Sequence, residues 1–272
     1  MKLNNSKKIL ASLLVVLLAL SFAACAAPKE EEQQQQQDSA RDYTYFAGKD
    51  IAVITGVLTY STTESIGGNP VAYPNSSAAV EDLQAGRVAG FMHALSAVQV
   101  IADQLGSDFE VIVIPQDIFS AEIGAFAHDQ ELIDRFNEFL DTIKADETLG
   151  HMQTRWFGSN RDLNVPLPEI ENSGENGVLT AVICSDSTPY VFIDQNGNYS
   201  GYSVELALRF GAYEQKTVEF VDVDFAELIP YISDEKADFG LANVAITEER
   251  KQSVLFTDPY FDEQHGILAL KL

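Results

Sequence analysis

An α/β fold built on parallel sheet is the fold class that this sequence predicts. Apolar runs of strand length alternate with longer amphipathic segments after residue 45, and such alternation is typical of parallel strands joined by helical crossovers. The chain has 272 residues, of which 46% are hydrophobic. That is enough for one large domain or for two modest lobes.

The first 45 residues predict an export signal and a tether. Three lysines, an apolar run at 9–20 and small residues give residues 1–24 the layout of a secretory signal peptide. Phe22-Ala23-Ala24-Cys25 then resembles the lipobox of bacterial lipoproteins, with Phe22 in place of the more usual Leu. That resemblance implies a lipidated Cys25, whereas ordinary cleavage would leave Cys25 incidental. The rest of 25–45, rich in Gln and Glu, predicts a disordered spacer.

A first α/β run is predicted between residues 46 and 157. Its strands are expected at 50–55, 88–92, 109–114 and 123–127, and its helices at 76–85, 94–105, 129–145 and 147–157. Asn75 is placed to cap the first of these helices. The helix at 129–145 carries apolar residues at three- and four-residue spacing. Residues 158–177, with their Pro, Asn and Gly, predict a linker.

A second α/β run is predicted between residues 178 and 272. Its strands are expected at 178–183, 218–222 and 265–270, with a hairpin turn at 194–198, a helix that Ser203 caps and that ends at Tyr213, and a helix at 225–232. The segment KADFGLANVAITEERKQSVLFTDPYF, from Lys236 to Phe261, predicts a strand, a tight turn, a short helical turn that Thr247 caps, and another strand. Arg250 would then lie beside the crevice beyond the carboxyl ends of the strands, where such sheets bind ligands.

This segment resembles family 3 of the extracytoplasmic solute-binding proteins, the amino-acid receptors of ABC importers. The matching residues are Ala237-Asp238-Phe239, Ile246-Thr247, Glu249-Arg250, Val254, Phe256 and Asp258-Pro259-Tyr260. The resemblance implies a periplasmic-binding-protein-like (type II) fold, with two lobes joined by two hinge strands. It also implies a receptor without a cofactor, which closes on an amino acid or a related carboxylate and delivers it to a permease at the outer face of the cell membrane.

The order of the two halves differs from that of the family. Residues 178–272 resemble the family's N-terminal lobe, lobe 1, whereas residues 46–122 resemble lobe 2 and residues 123–157 a hinge strand with the helices that return to lobe 1. We interpret this order as a circular permutation, in which 158–177 joins the usual termini. Two fragments or a truncated tandem remain the alternative.

The resemblance assigns ligand contacts residue by residue. Arg250 corresponds to the arginine that clamps the ligand carboxylate, and Phe225 to an aromatic side chain that stacks on the ligand. Asn243 and Ala245 belong to the turn whose backbone meets the ligand. For Arg250 the alternative is a surface pair with a neighbouring carboxylate, and for Phe225 it is packing under a helix.

Other positions depart from the family pattern. Ala94 stands where an aspartate commonly pairs with the ligand ammonium, Val57 and Ala245 replace threonines, and Ser187 replaces a stacking aromatic. Asp186 and His93 lie near these positions and are candidates for substitute polar contacts. The pocket is therefore expected to prefer a ligand other than a standard amino acid.

Composition limits the remaining classes. A net charge of −24 disfavours nucleic acid and bare anionic membrane as partners. The four histidines have no close ligand spacing, so no metal is expected, and two cysteines imply no disulfide framework. A non-transport receptor or degenerate accessory protein remains an alternative. A dehydratase-like enzyme is a weaker one, with Asp186, Cys184 and His93 as its only candidates for acid–base work.

Overall fold

The chain folds into a two-lobed α/β structure around two five-stranded sheets. The computed structural model describes residues 41–55 and 57–272. The predicted signal peptide, Cys25 and nearly all of the predicted tether lie outside the described residues.

The lobe 2 sheet is formed mainly by the first half of the chain. Its strands, in spatial order, are β2 (Asn69–Tyr73), β1 (Asp50–Ile54), β3 (Gly90–Ala94), β14 (His265–Leu270) and β4 (Phe109–Val113). β1 is parallel to both β2 and β3, and β14 runs antiparallel between β3 and β4. The inner strands are apolar on both faces: Val53 and Ala52, which are neighbours in sequence, enter separate core clusters.

The lobe 1 sheet is formed mainly by the second half. Its strands, in spatial order, are β10 (Thr217–Asp222), β7 (Val178–Ile183), β11 (Phe239–Gly240), β6 (Phe126–Ala127) and β12 (Leu255–Phe256). β7 is parallel to β10 and β11, whereas β6 is antiparallel to β11 and β12. A short hairpin of β8 (Phe192–Ile193) and β9 (Tyr199–Ser200) lies beside it.

Two chain segments connect the lobes. β5 (Ala121–Ile123) leads into β6, and β13 (Phe261–Glu263) leads into β14. β5 and β13 pair antiparallel, with Ile123 opposite Phe261. Each half of the chain therefore contributes a strand to the other half's sheet.

Seven α-helices of the described ranges cover the sheets. They are α1 (Thr59–Ser65), α2 (Ser76–Gln84), α3 (Leu95–Leu105), α4 (Gln130–Ala145), α5 (Thr148–Phe157), α6 (Tyr202–Tyr213) and α7 (Leu228–Ser233). α4 and α5 belong to the first half but pack in the lobe 1 core, where Phe136, Trp156 and Phe210 are buried together. The Trp156 Nε1–H donates to the buried Glu205 Oε2 over 2.8 Å, which ties α5 to α6. None of the helices in the described ranges combines the length and the apolar character needed to cross a bilayer.

Most predicted elements form within one or two residues of their expected bounds. Asn75 caps α2 by accepting from the Ala78 N–H, as predicted. Residues 158–177 contain no helix or strand. α1 and β2 were not predicted, because the Ser/Thr-rich segment at 59–65 lacks a clear apolar period.

Two local predictions were wrong. Ser203 does not cap α6, since the N-cap is Gly201, and the carbonyl groups of Pro189 and Tyr190 accept the first N–H groups of the helix. The expected strand at 123–127 is two strands, β5 and β6, because residues 124–125 carry the chain from one lobe to the other. A third element is shorter than expected: Arg250–Gln252 forms a single 3-10 turn, although Thr247 Oγ1 accepts from the Arg250 N–H as predicted.

Candidate functional site

A cleft of about 550 Å³ lies between the lobes, and its volume suits a small organic ligand. It forms beyond the carboxyl ends of β1 and β3 in lobe 2 and of β7, β10 and β11 in lobe 1. Such ends are where open α/β sheets bind ligands, because the loops that follow the strands diverge there. β5, β13 and the start of β14 line the floor.

Arg250 is the principal cation of the lobe 1 wall. Its Nη1 donates to the Ala245 carbonyl oxygen over 2.8 Å, and its guanidinium lies 6.0 Å from the ring centre of Phe225. It forms no ion pair with any described residue. Burial lowers the pKa of Arg250, but the guanidinium remains protonated at neutral pH. Most of its five N–H donors therefore remain available to a carboxylate.

The loops that follow the lobe 1 strands complete this wall. The loop after β7 carries Cys184, Asp186 and Ser187, and Asn243 and Ala245 follow β11. Partial loss of solvent raises the pKa of Asp186, and burial raises the pKa of the Cys184 thiol. Cys184 is a free cysteine, so at neutral pH its thiol stays protonated and unreactive.

His93 and Ala94, at the end of β3, face this wall from lobe 2. The Ala94 N–H donates to His93 Nδ1 over 2.8 Å, so a neutral His93 carries its proton on Nε2. Burial lowers the pKa of His93 to about 4. His93 is therefore an uncharged imidazole at neutral pH.

A second imidazole, that of His265, lies at the start of β14. Its ring stacks on Phe119 with centroids 3.5 Å apart, and its Nδ1 lies 3.0 Å from Thr62 Oγ1. Burial and the proximity of His93 lower the pKa of His265 to about 3. Both imidazoles of the cleft are thus neutral hydrogen-bonding groups.

Glu263, in β13, is a buried carboxyl that touches both lobes. Its Oε2 accepts from Ser96 Oγ of α3 over 2.6 Å and from the Tyr190 hydroxyl of lobe 1 over 2.8 Å. Its Oε1 accepts from the N–H groups of Gln264 and Ser96. The side chain is only 4% exposed, and burial raises the pKa of Glu263 despite these hydrogen bonds.

The structure brings all the ligand contacts expected from the sequence to this one cleft. They line it together: Val57, His93, Ala94, Asp186, Ser187, Phe225, Asn243, Ala245 and Arg250. Whether they bind a ligand stays a prediction. Asp238 and Trp156 make structural hydrogen bonds away from the cleft. The Asp238 carboxylate accepts from the Thr180 N–H, and the Trp156 Nε1–H donates to Glu205.

The lining residues that sequence reasoning missed include Thr59, Glu263 and His265. Thr59 is 1% exposed, and its Oγ1 has no hydrogen-bond partner among the described residues. Such a group is paired in most native proteins, so a ligand hydroxyl or carboxylate would suit it. The sequence carries no signal for Thr59, because it lies in a helix that shows no apolar period.

No grouping of three or more His, Cys, Asp or Glu side chains that could hold a metal ion occurs within residues 41–55 and 57–272. The polar groups of the cleft include one guanidinium, neutral imidazoles, hydroxyls, amides and carboxyls. They can bind and orient a small carboxylate.

Comparisons with known proteins match part of the chain. The family model for bacterial extracellular solute-binding proteins, family 3, matches residues 179–271. A probable histidine-binding protein of Neisseria gonorrhoeae is 31% identical over 87 residues, which are 32% of each chain. The matched part spans about a third of the length of the curated relatives.

Two further matches are to an enzyme and to a solved structure. A cyclohexadienyl dehydratase of Pseudomonas aeruginosa is 26% identical over 86 residues, which are 32% of each chain. Among solved structures, that of a truncated, arginine-bound ArgBP from T. maritima has 39% sequence identity to this chain and a TM-score of 0.31. The match covers 31% of this chain and 40% of that one.

Proposed function

We propose that the chain, whose residues 179–271 match the model for family 3 of the bacterial extracellular solute-binding proteins, captures a small carboxylate between its lobes for an ABC importer. The observation that carries the proposal is Arg250, a half-buried guanidinium in an interlobe cleft with no carboxylate partner among the described residues. Relatives named for histidine and arginine binding support an amino acid or a related carboxylate as the ligand class.

Arg250 is the proposed carboxylate clamp, and Phe225, Asn243 and Ala245 complete the lobe 1 half of the site. A charge-assisted hydrogen bond of this kind is worth about 1.5–3 kcal/mol. The connecting strands β5–β6 and β13–β14 are the proposed hinge, about which lobe 2 would close and bring His93, Ala94 and Val57 to the ligand. The bound carboxylate would then be shielded from water, and both lobes would face the permease.

The proposal assigns no chemistry to the cleft. Glu263 is a buried acid of the cleft, and its burial raises its pKa. Both of its oxygens, however, accept hydrogen bonds from Ser96, Tyr190 and Gln264. A general acid must lie within hydrogen-bond distance of its substrate, and the oxygens of Glu263 are already occupied. The similarity to a dehydratase makes recovery of unchanged ligand after incubation a required control.

The proposal also covers the membrane anchor and the order of the lobes. We propose that Cys25 carries the lipid and that the lobes are circularly permuted, with residues 158–177 as the joining linker. Support comes from the lipobox-like Phe22-Ala23-Ala24-Cys25 and from the exchange of strands between the two halves. Loss of membrane association in Cys25→Ser but not in Cys184→Ser would support the anchor, and equal association of both would refute it.

The first test is thermal unfolding of the full chain with a panel of amino acids and small carboxylates. A ligand at a hundred times its dissociation constant stabilises the folded state by about 2.7 kcal/mol. Arg250→Ala should raise the dissociation constant roughly ten- to a hundredfold, from the lost hydrogen bonds. The matched control is Lys251→Ala, the next cation, which is exposed and pairs with Glu248.

The outcome separates transport from the accessory alternative. Stabilisation that disappears in Arg250→Ala and persists in Lys251→Ala supports the importer receptor. A well-folded wild type that no compound stabilises favours the degenerate accessory protein, for which Ala94, Val57 and Ser187 are the supporting positions.

A further inference from the structure

The charges of the cleft are divided unequally between its walls. Its charged lining residues are Arg250, Asp186 and Asp224 in lobe 1 and Glu263 in the connecting strand. Every lining residue that the structure places in lobe 2 is uncharged. If the ligand carboxylate lies at Arg250 in lobe 1, the other end of the ligand meets the uncharged wall of lobe 2.

The two imidazoles do not alter this division. His93 and His265 are neutral because burial holds their pKa values at about 4 and about 3. They offer a hydrogen bond but no charge at neutral pH. Neither a cation nor an anion on the ligand would find a counter-charge on the lobe 2 wall.

Helix α3 supplies four of the lining residues of that wall. Ala97, Val100, Ile101 and Gln104 line the cleft at three- and four-residue spacing, so one face of the helix borders it over about 10 Å. The first three are apolar, and Gln104 ends the row with an uncharged amide. Phe119 adds an aromatic ring stacked on His265.

The carboxyl of Glu263 is not available as a counter-charge. It is 4% exposed, and four hydrogen bonds from Ser96, Tyr190 and Gln264 occupy its two oxygens. Asp186 and Asp224 are exposed side chains of the opposite wall. A positive group on the lobe 2 side of the ligand would lose water without gaining a counter-charge, which is strongly unfavourable.

We propose that the ligand is a monocarboxylate whose remaining chain is uncharged and largely apolar and lies along α3. This inference rests on the proposed function, since it takes Arg250 as the carboxylate clamp. It distinguishes the chain from its relatives that are named for arginine binding. Selectivity follows because an apolar chain gains from burial on this wall, whereas a cationic chain does not.

The test uses a matched series of six-carbon ligands with the full chain: hexanoate, 2-hydroxyhexanoate, norleucine and lysine. Norleucine and lysine differ only by the terminal ammonium. Calorimetric titration should give lysine a dissociation constant at least ten times that of norleucine. Equal or tighter binding of lysine would overturn the inference, as would failure of all four compounds to bind.

Two variants on α3 sharpen the test. Ala97→Asp places a carboxylate on the cleft face, in the first turn of the helix, where an acid is tolerated. It should lower the lysine dissociation constant at least tenfold relative to norleucine. Gln99→Asp introduces the same residue on the same helix but outside the cleft lining, and it should leave the ratio unchanged.

Arg250→Ala separates this inference from the proposed function. If the variant binds every compound as the wild type does, the carboxylate clamp fails and the proposed function fails with it. If Arg250→Ala weakens all of them but lysine still equals norleucine in the wild type, only the apolar-wall inference is wrong.

Discussion

At the scale of single residues, Glu263 carries the most consequential set of contacts in the described chain. It joins Ser96 of lobe 2 to Tyr190 of lobe 1 from within a connecting strand. A carboxyl in this position fixes the floor of the cleft relative to both walls. Its burial favours the protonated form, which raises its pKa above 4.5, the ordinary value.

Glu263→Ala and Glu263→Gln should therefore differ. The alanine leaves the hydroxyls of Ser96 and Tyr190 buried without their acceptor, and we expect a loss of about 2 kcal/mol or more in the free energy of unfolding. The glutamine keeps the shape and one acceptor, so its loss should be smaller than that of the alanine. Urea unfolding monitored by circular dichroism measures both.

The pH dependence tests the same residue with a definite sign. Because the folded pKa of Glu263 is raised, the folded state binds more protons than the unfolded state above pH 4.5, so its stabilising contribution falls as pH rises through the folded pKa. Glu263→Gln should gain stability relative to wild type over that window. The exposed neighbour Asp262→Asn is the control for removing one carboxylate from the same strand, and a flat difference for Glu263→Gln would contradict the assignment.

The sequence predicted Arg250 as a site residue, but it did not predict Glu263 and His265 on the floor of the cleft. Arg250 was predicted because its segment has a specific pattern and a local cap from Thr247. Glu263 and His265 carry no local signal, since their roles depend on strands and helices far away in the chain. Only the pairing of β13 with β5 and of β14 with β3 and β4 brings them to the cleft.

At the scale of elements, α6 begins in a way that the sequence did not predict. The carbonyls of Pro189 and Tyr190 accept from the Tyr202 and Ser203 N–H groups, so the loop after β7 caps the helix through its backbone. Gly201 permits this approach: its φ is +120°, and an added Cβ would lie 2.3 Å from the Tyr190 carbonyl oxygen. A side-chain cap by Ser203 is unnecessary, and Ser203 Oγ is instead buried without a partner among the described residues.

Gly201→Ala should therefore destabilise the chain by about 3 kcal/mol or more, through backbone strain plus a clash with backbone atoms that cannot turn away. The same loop carries Asp186 and Ser187, so ligand affinity should fall as well. Thermal unfolding and calorimetric titration measure the two effects.

Gly177→Ala is the matched control. Gly177 also has a positive φ, +98°, but an added Cβ would meet nothing within 4 Å. It should cost only about 1–2 kcal/mol, the price of a left-handed alanine. Equal losses in the two variants would show that conformational strain alone, and not the approach of the β7 loop, explains the effect.

Elements with strong periodicity or clear caps were predictable, and connections between lobes were not. α4 shows its apolar face at regular spacing, and α2 has a cap at Asn75. The division of 123–127 into β5 and β6 has no such signal, because both strands are short and apolar. Their separation follows from pairing with different partners, β13 and β11.

At the scale of the whole molecule, the two halves of the chain cannot complete their sheets alone. β14 lies between β3 and β4 in the lobe 2 sheet, and β6 lies between β11 and β12 in the lobe 1 sheet. α4 and α5 also leave the first half to pack in the lobe 1 core. Two linked lobes therefore fold as one interdependent unit.

Cleavage of the 158–177 linker tests this interdependence and the proposed permutation together. A protease site inserted near residue 170 and cut after folding should leave both pieces associated, because the exchanged strands and not the linker hold them. Size-exclusion chromatography should show one species of unchanged mass, and its ligand affinity should match that of the uncut chain with the same insertion.

Fragments expressed alone should behave differently. Residues 1–165 lack the inner strand β14, and residues 166–272 lack β6 and two core helices, so each leaves unpaired strand edges and exposed apolar surface. Neither should unfold cooperatively, and mixing them should restore a single transition. A cooperative transition in the second fragment by itself would show that lobe 1 folds independently of the first half. The exchanged strands would then not be required for folding.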